Sequence, residues 1–312
     1  MAIPLTVIGG FLGAGKTTLL NHLLAQDTGL RFAVVVNDFG DLAVDGDLLA
    51  AHGGDTVTLA NGCICCTMGD DLFLALMKLL RRDDPPEHIL VEASGVADPR
   101  PIADVAVLHP GLTPDAVVVL ADAELVEEKA GDQYVGDTIH RQLAAADLVI
   151  LNKCDLLDDY DQNEVQQWLA EQAPNASIVR ARRGEVPAAL LLGSGLATER
   201  PPKDHDRDHD HNHGHEDAFR SVSLILPAPL AEADFLEAIA ALPKSVLRSK
   251  GIVRFKERPG RWVFQLVGHR HEITAAEGPA SPDRLVFLGT PDMPGEATLR
   301  RIVLGIEEEK ND

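Results

Sequence analysis

The sequence predicts an α/β fold: a mostly parallel sheet with helices on both faces, followed by a smaller α+β domain. Three observations carry that expectation. Short apolar runs alternate with helical stretches over the first 180 or so residues. A glycine-rich turn joins the first run to the first helix. Composition then breaks at about residue 193.

The runs at residues 5–8, 32–36, 89–91, 117–120 and 148–151 consist of Val, Ile, Leu, Ala and Phe, with Thr6 the one polar residue among them. Such runs suit strands buried on both faces rather than half-exposed ones. Helical spacing appears at residues 17–24 and 71–80, with Asp70 or Asp71 as the expected N-cap of the second helix. The break begins with Gly-Ser-Gly and Pro201-Pro202, then a tract dominated by His and Asp with no large apolar residue. That tract cannot bury enough surface to offset its ordering entropy, so it reads as a linker. Order resumes near Phe219. Residues 222–226 alternate as a strand, 231–241 form a helix, 246–255, 262–267 and 285–288 are strands, and 295–309 form a last helix. The expected organisation is a nucleotide domain over 1–192, a His/Asp-rich linker over 193–217 and an α+β domain over 218–312.

With 312 residues and 45% hydrophobic content, the chain suits a soluble protein of two domains. No apolar run approaches the roughly 18–20 residues of a membrane span, so no membrane contact is expected. The first residues, Met-Ala-Ile-Pro, lack a basic region followed by an apolar one. A cytoplasmic location is therefore the expectation. The net charge of −21 opposes nucleic-acid binding through phosphate neutralisation. It permits a small anionic ligand held by backbone N–H groups and one lysine.

Gly10-Phe-Leu-Gly13-Ala14-Gly15-Lys16-Thr17-Thr18 fits the phosphate-loop pattern, between a strand and a helix as the pattern requires. The fold class is thus a P-loop NTPase. The glycines turn backbone N–H groups inward around phosphates, Lys16 would reach the β- and γ-phosphates, and Thr17 would ligate Mg²⁺. Asn152-Lys153-Cys154-Asp155, at the end of an apolar run, is the N-K-x-D pattern of GTP binders. Its Asp155 carboxylate can accept two hydrogen bonds from the guanine edge, a donor pair that adenine lacks. Cys154 fills the variable slot and is expected to be structural.

Glu92 ends another run and precedes Ala93-Ser94-Gly95. It would hold Mg²⁺ or orient the attacking water, a choice left open, and the Gly95 N–H would sense the γ-phosphate. Asn37-Asp38-Phe39-Gly40-Asp41, with Asp45, occupies the position of a switch loop, against the plainer reading of a solvated turn.

Three of the four cysteines stand at Cys63, Cys65 and Cys66 after Asn61-Gly62. Thiolates are soft ligands for Zn²⁺, Co²⁺ or Cu(I) and poor ones for Mg²⁺. The C-x-C-C spacing is too tight for an ordinary zinc finger, so it reads as an incomplete site suited to transfer. A redox switch is the alternative. His205, His209, His211, His213 and His215 offer imidazoles for weak metal binding in the linker. His269 and His271 read as ordinary surface residues.

These motifs together resemble the CobW-type P-loop GTPases, a family of metallochaperones and metalloenzyme activators. The resemblance rests on residues 10–18, 61–66, 92–95 and 152–155, on Leu247-Arg248-Ser249-Lys250-Gly251 in the second domain, and on the His-rich linker. It implies GTP hydrolysis with Lys16, Thr17, Glu92 and Asp38 at the reaction centre. It also implies Mg²⁺, a Zn²⁺ or Co²⁺ cargo and a client metalloprotein. Self-association into a homo-oligomer stays open. The family usually carries Asn-Glu-Phe-Gly where this chain has Asn37-Asp38-Phe39-Gly40, and the shorter carboxylate changes the reach of Asp38.

Overall fold

The structure, a computed structural model, describes residues 2–26, 28–37, 55–59, 68–193, 219–276 and 282–305. The chain divides into two compact units, Met1–Leu192 and Gly193–Asp312.

The first unit is built on strands β1 (Ile3–Gly10), β2 (Phe32–Asn37), β3 (Asp55–Leu59), β4 (His88–Glu92), β5 (Leu112–Asp122), β6 (Leu148–Asn152) and β7 (Ser177–Arg180). They form one sheet of seven strands in the order β3-β2-β4-β1-β5-β6-β7. Every neighbouring pair is parallel. The helices are α1 (Lys16–Ala25), α2 (Met68–Leu80), α3 (Arg100–Leu108), α4 (Val126–Ala130), α5 (Gly136–Ala145), α6 (Asp159–Gln172) and α7 (Ala188–Leu192).

Both faces of the sheet are covered, which explains why the runs are almost wholly apolar. Leu5, Val7, Ile89 and Val91 pack against Leu72, Leu76 and Leu79 of α2 and Ile102 and Ala106 of α3. Val119, Ala121, Val149 and Leu151 pack against Ile139 and Leu143 of α5 and Leu169 of α6. Thr6 alternates with Leu5 and Val7 and so faces the other way. Its Oγ1 lies 3.0 Å from the Leu191 carbonyl of α7, 2.8 Å from Asp115 Oδ2 and 2.9 Å from His88 Nε2. This buried polar cluster ties β1, β4, β5 and α7 together.

Helix boundaries follow local chemistry. Asp158 caps α6 by accepting from the Asp161 N–H at 2.9 Å. The second helix begins at Met68, so Asp70 and Asp71 fall within its first turn and neither is the N-cap expected from the sequence.

The second unit holds strands β8 (Arg220–Ile225), β9 (Val246–Val253), β10 (Trp262–Val267), β11 (Arg270–Ala275) and β12 (Arg284–Gly289), with helices α8 (Glu232–Ala240) and α9 (Glu296–Leu304). The sheet order is β11-β10-β9-β12-β8, with antiparallel neighbours throughout. Its core joins Phe264, Leu285 and Phe287 to Phe235 and Ile239 of α8 and Leu299 and Val303 of α9. Phe235 meets Phe264 edge-on at 4.9 Å between ring centroids, an arrangement favoured by the ring quadrupoles. The last helix is shorter than the expected 295–309. It stops at Leu304 because Gly305 turns into the left-handed region at φ 63° and donates its N–H to the Arg301 carbonyl.

Candidate nucleotide site

The sheet order places β1 between β4 and β5, with β2, β3 and β4 on one side of it and β5, β6 and β7 on the other, so the chain switches sides at β1 when it passes from β4 to β5. Ligands of open parallel sheets bind at such a point, beyond the carboxyl ends of the strands. The glycine-rich loop leaves β1 there and enters α1 at Lys16.

Glycine is required in this loop for two separate reasons. Gly10, Gly13 and Gly15 have φ of 130°, 80° and 102°, a region costly for residues with a Cβ. At Gly10 a Cβ would stand 2.4 Å from the Leu120 carbonyl oxygen, and at Gly15 it would stand 2.4 Å from Asn152 Nδ2. Gly13 by contrast faces open space. Lys16 is buried, and its Nζ donates to the Gly10 and Phe11 carbonyls at 2.8 and 3.3 Å. The ammonium is thus held over the loop's own backbone.

A cleft of about 330 Å³ opens at this loop, with Gly13, Lys16, Thr17, Thr18, Glu92 and Gly95 among its lining residues. Glu92 closes β4 opposite Ile8 and Val36 and is buried. The Thr17 hydroxyl and the Glu92 carboxylate therefore share one cleft. Both are hard oxygen donors, a set that fits Mg²⁺. Gly95 packs so closely on Leu12 that a Cβ there would lie 2.5 Å from Leu12 Cδ2. The buried Gln142 of α5 holds the same segment, donating from Nε2 to the Gly95 and Ala97 carbonyls at 3.2 and 2.9 Å.

The N-K-x-D residues follow β6. Asn152 donates from Nδ2 to the Ala14 carbonyl at 2.9 Å and accepts from the Gly184 N–H at 2.8 Å. It clamps the phosphate loop to the turn after β7. Lys153 takes a left-handed backbone, φ 64°, and its ammonium pairs with Asp122 Oδ2 at 2.6 Å. Asp155 is exposed in the short 3-10 turn Cys154–Leu156. Cys154 is buried, with Sγ 3.1 Å from the Leu151 carbonyl, and burial pushes its thiol pKa up.

The structure therefore brings Gly10, Gly13, Ala14, Gly15, Lys16, Thr17, Thr18, Glu92 and Gly95 together at the carboxyl ends of the central strands β1 and β4, with Asn152 joined to them through Ala14. Asp38, Cys63, Cys65, Cys66, His205, His209, His211, His213 and His215 lie outside the described residues. Among the described residues no group of three or more His, Cys, Asp or Glu is arranged to hold a metal ion. No helix of the described residues is long and apolar enough to cross a membrane. Sequence reasoning missed Asp122, Gln142 and Gly184. Each acts through a contact spanning more than 30 residues of chain, and no local pattern announces such a contact.

The loop, the acidic strand end and the clamped N-K-x-D turn define a P-loop nucleotide-binding protein of the GTPase type. Comparison with known proteins agrees. Residues 4–180 match the family model described as CobW/HypB/UreG, nucleotide-binding domain, and residues 219–304 match the Cobalamin synthesis protein cobW C-terminal domain. The chain belongs to this CobW family of P-loop GTPases. It is 34% identical to a protein named Zinc chaperone CobW from Sinorhizobium sp, over 97% of both chains. It is 38% identical to a Pseudomonas aeruginosa protein of the same name, over 86% of this chain and 82% of that one. Among solved structures, the Zn(II)-bound YjiA GTPase from E. coli is 24% identical over 99% of this chain and 100% of that one, with a TM-score of 0.49.

Proposed function

We propose that this chain is a GTP-hydrolysing metallochaperone that binds Zn²⁺ at Cys63-Ile64-Cys65-Cys66 and hands it to a client metalloprotein. One observation carries the reading. Strand β3 runs parallel to its neighbours and so ends at Leu59 on the same carboxyl side of the sheet as the cleft of Lys16, Thr17 and Glu92, and the thiols follow it in the sequence. The relatives named zinc chaperones support the choice of cargo. In this reading Lys16 binds the β- and γ-phosphates, and Thr17 and Glu92 hold Mg²⁺. Glu92 and Asp38 serve hydrolysis, and Asp155 reads the guanine edge with Asn152 and Lys153 supporting it. The functional parts are a GTPase domain over 1–192, a linker over 193–217 with weak imidazole sites, and a C-terminal domain over 218–312.

Magnitudes shape the transfer step. Thiolate zinc sites are worth roughly 10–16 kcal/mol, whereas coupling between two sites is typically about 1–3 kcal/mol. Nucleotide state therefore biases handover within a direct client complex rather than ejecting the ion into solvent. Titration of the full chain with Co²⁺, in the presence of GTP, GDP or neither, tests this. Thiolate-to-cobalt absorbance should appear and its midpoint should shift with nucleotide. Identical curves in all three states would sink the coupled mechanism. The second family model, named for cobalamin synthesis, favours one rival reading, GTP-dependent activation of a cobalt enzyme. Competition between Zn²⁺ and Co²⁺ in the GTP state separates the two.

A further inference from the structure

Two buried glutamines stand behind the two ends of the nucleotide site and make the same kind of contact. The Nε2 of Gln142, on α5, spans the Gly95 and Ala97 carbonyls at 3.2 and 2.9 Å. The Nε2 of Gln162, on α6, spans the Cys154 and Leu157 carbonyls at 2.8 and 3.0 Å. A carboxamide nitrogen carries two hydrogens, so each glutamine commits its whole donor capacity to one loop.

The carbonyls bracket the residues that read the ligand. Cys154 and Leu157 flank Asp155, which is itself exposed on the short turn. Arg180 of β7 orients Gln162 in turn. Its Nη1 lies 3.4 Å from Gln162 Oε1, while Nε and Nη2 donate to Gln166 and Asn163 at 2.6 Å. At the other end Gly95 lines the phosphate cleft, and the Ala97 N–H closes its turn on the Ser94 carbonyl at 2.9 Å. Neither glutamine lines that cleft. A neutral amide suits both places, because it fixes backbone without adding a charge near a polyanion.

We infer that Gln162 and Gln142 are positioning residues with separate duties. Gln162, through Asp155, sets how well the site tells guanine from other bases. Gln142, through Gly95, sets how well it tells a triphosphate from a diphosphate. The duties rest on the GTPase reading above, in which Asp155 meets the guanine edge and the Gly95 N–H meets the γ-phosphate.

The test measures affinities of the full chain, with Mg²⁺, for GDP, IDP and a non-hydrolysable GTP analogue by calorimetry. IDP lacks the 2-amino group, one of the two guanine donors to Asp155. The GDP-to-IDP ratio reads the base end with no γ-phosphate present. The analogue-to-GDP ratio reads the γ end with the base unchanged. A hydrogen bond to a charged group is worth about tenfold or more, so the unaltered chain should favour GDP over IDP by that much. Gln162→Met, similar in length but without a donor, should cut this preference about fivefold or more. It should leave the analogue-to-GDP ratio within about twofold, as expected of independent sites. Gln142→Met should do the reverse. Glu at either position keeps the shape and removes at least one hydrogen, and it replaces a Met variant that does not fold. A GDP-to-IDP preference that survives in the Gln162 variants overturns that residue's duty. An unmoved analogue-to-GDP ratio in the Gln142 variants overturns the other. If both ratios fall together in either variant, the glutamine is a general support and the division of duties is wrong. Equal binding of GDP and IDP by the unaltered chain removes the guanine reading itself, and the Gln162 duty with it. That result is distinct from a clear preference which Gln162→Met leaves untouched.

Discussion

Gly15, like Gly10, is constrained twice over. A side chain there meets both a left-handed backbone and the Asn152 amide. Gly15→Ala should therefore lose affinity for a fluorescent GTP analogue by about tenfold or more, since the backbone term alone is worth about 1–2 kcal/mol. Gly13→Ala meets only the backbone term and should lose less. Equal losses would mean that the Asn152 contact is irrelevant. Cys154 sets a second expectation. Burial favours its neutral thiol, so the native state keeps that proton to higher pH than the unfolded chain does. Stability should thus fall as pH rises through the ordinary thiol range, about 8.5 and above. The part of that loss due to this thiol should vanish in Cys154→Ala. Alkylation mapped by mass spectrometry should spare native Cys154, and labelling at the rate of an exposed thiol would contradict its burial.

At the scale of elements, α2 offers a direct contrast. Leu76 is fully buried against the sheet, while Leu74, two residues away, is mostly exposed. Leu76→Ala should cost about 2–5 kcal/mol in denaturant unfolding and Leu74→Ala well under 1 kcal/mol. A comparable cost for both would misplace the helix face. Asn152 joins three elements, and Asn152→Ala strands the Ala14 carbonyl and the Gly184 N–H together. A loss of about 1–3 kcal/mol is expected, accompanied by weaker GTP binding. Which elements were legible follows from their burial. The inner strands β1, β4, β5 and β6 carry apolar runs, broken in β1 only by Thr6, because both faces are covered, and their positions could be read from the sequence. Strands β3, β7 and β11 escaped the reading, and all three lie at sheet edges. Ser177-Ile-Val-Arg180 is too short and too polar to stand out. Residues 270–275 carry charged and polar side chains suited to a solvated edge. The sequence reading ran the last helix past Gly305 on acidic helix formers, and the left-handed Gly305 ends that helix at Leu304.

At the scale of the molecule, each of the two units has apolar clusters of its own in a chain of net charge −21. The metal inventory should divide similarly. Replacing His205, His209, His211, His213 and His215 with glutamine should remove weak Zn²⁺ binding seen by calorimetry. It should leave the GTP-state cobalt–thiolate absorbance unchanged. Loss of that absorbance would make the histidines part of the thiolate site. The phosphate loop and N-K-x-D turn were readable from sequence because their chemistry is local. The supports for that chemistry, Gln142 on Gly95 and Asp122 on Lys153, depend on tertiary approach and were not. The strand order also governs when the site can exist during synthesis. Strand β1 is made first, yet its partners are β4 and β5, and β2 pairs only with β3 and β4. The strand that carries the phosphate loop therefore has no ladder to join until Glu92 has left the ribosome. Any nascent chain shorter than that emerges without a competent nucleotide site.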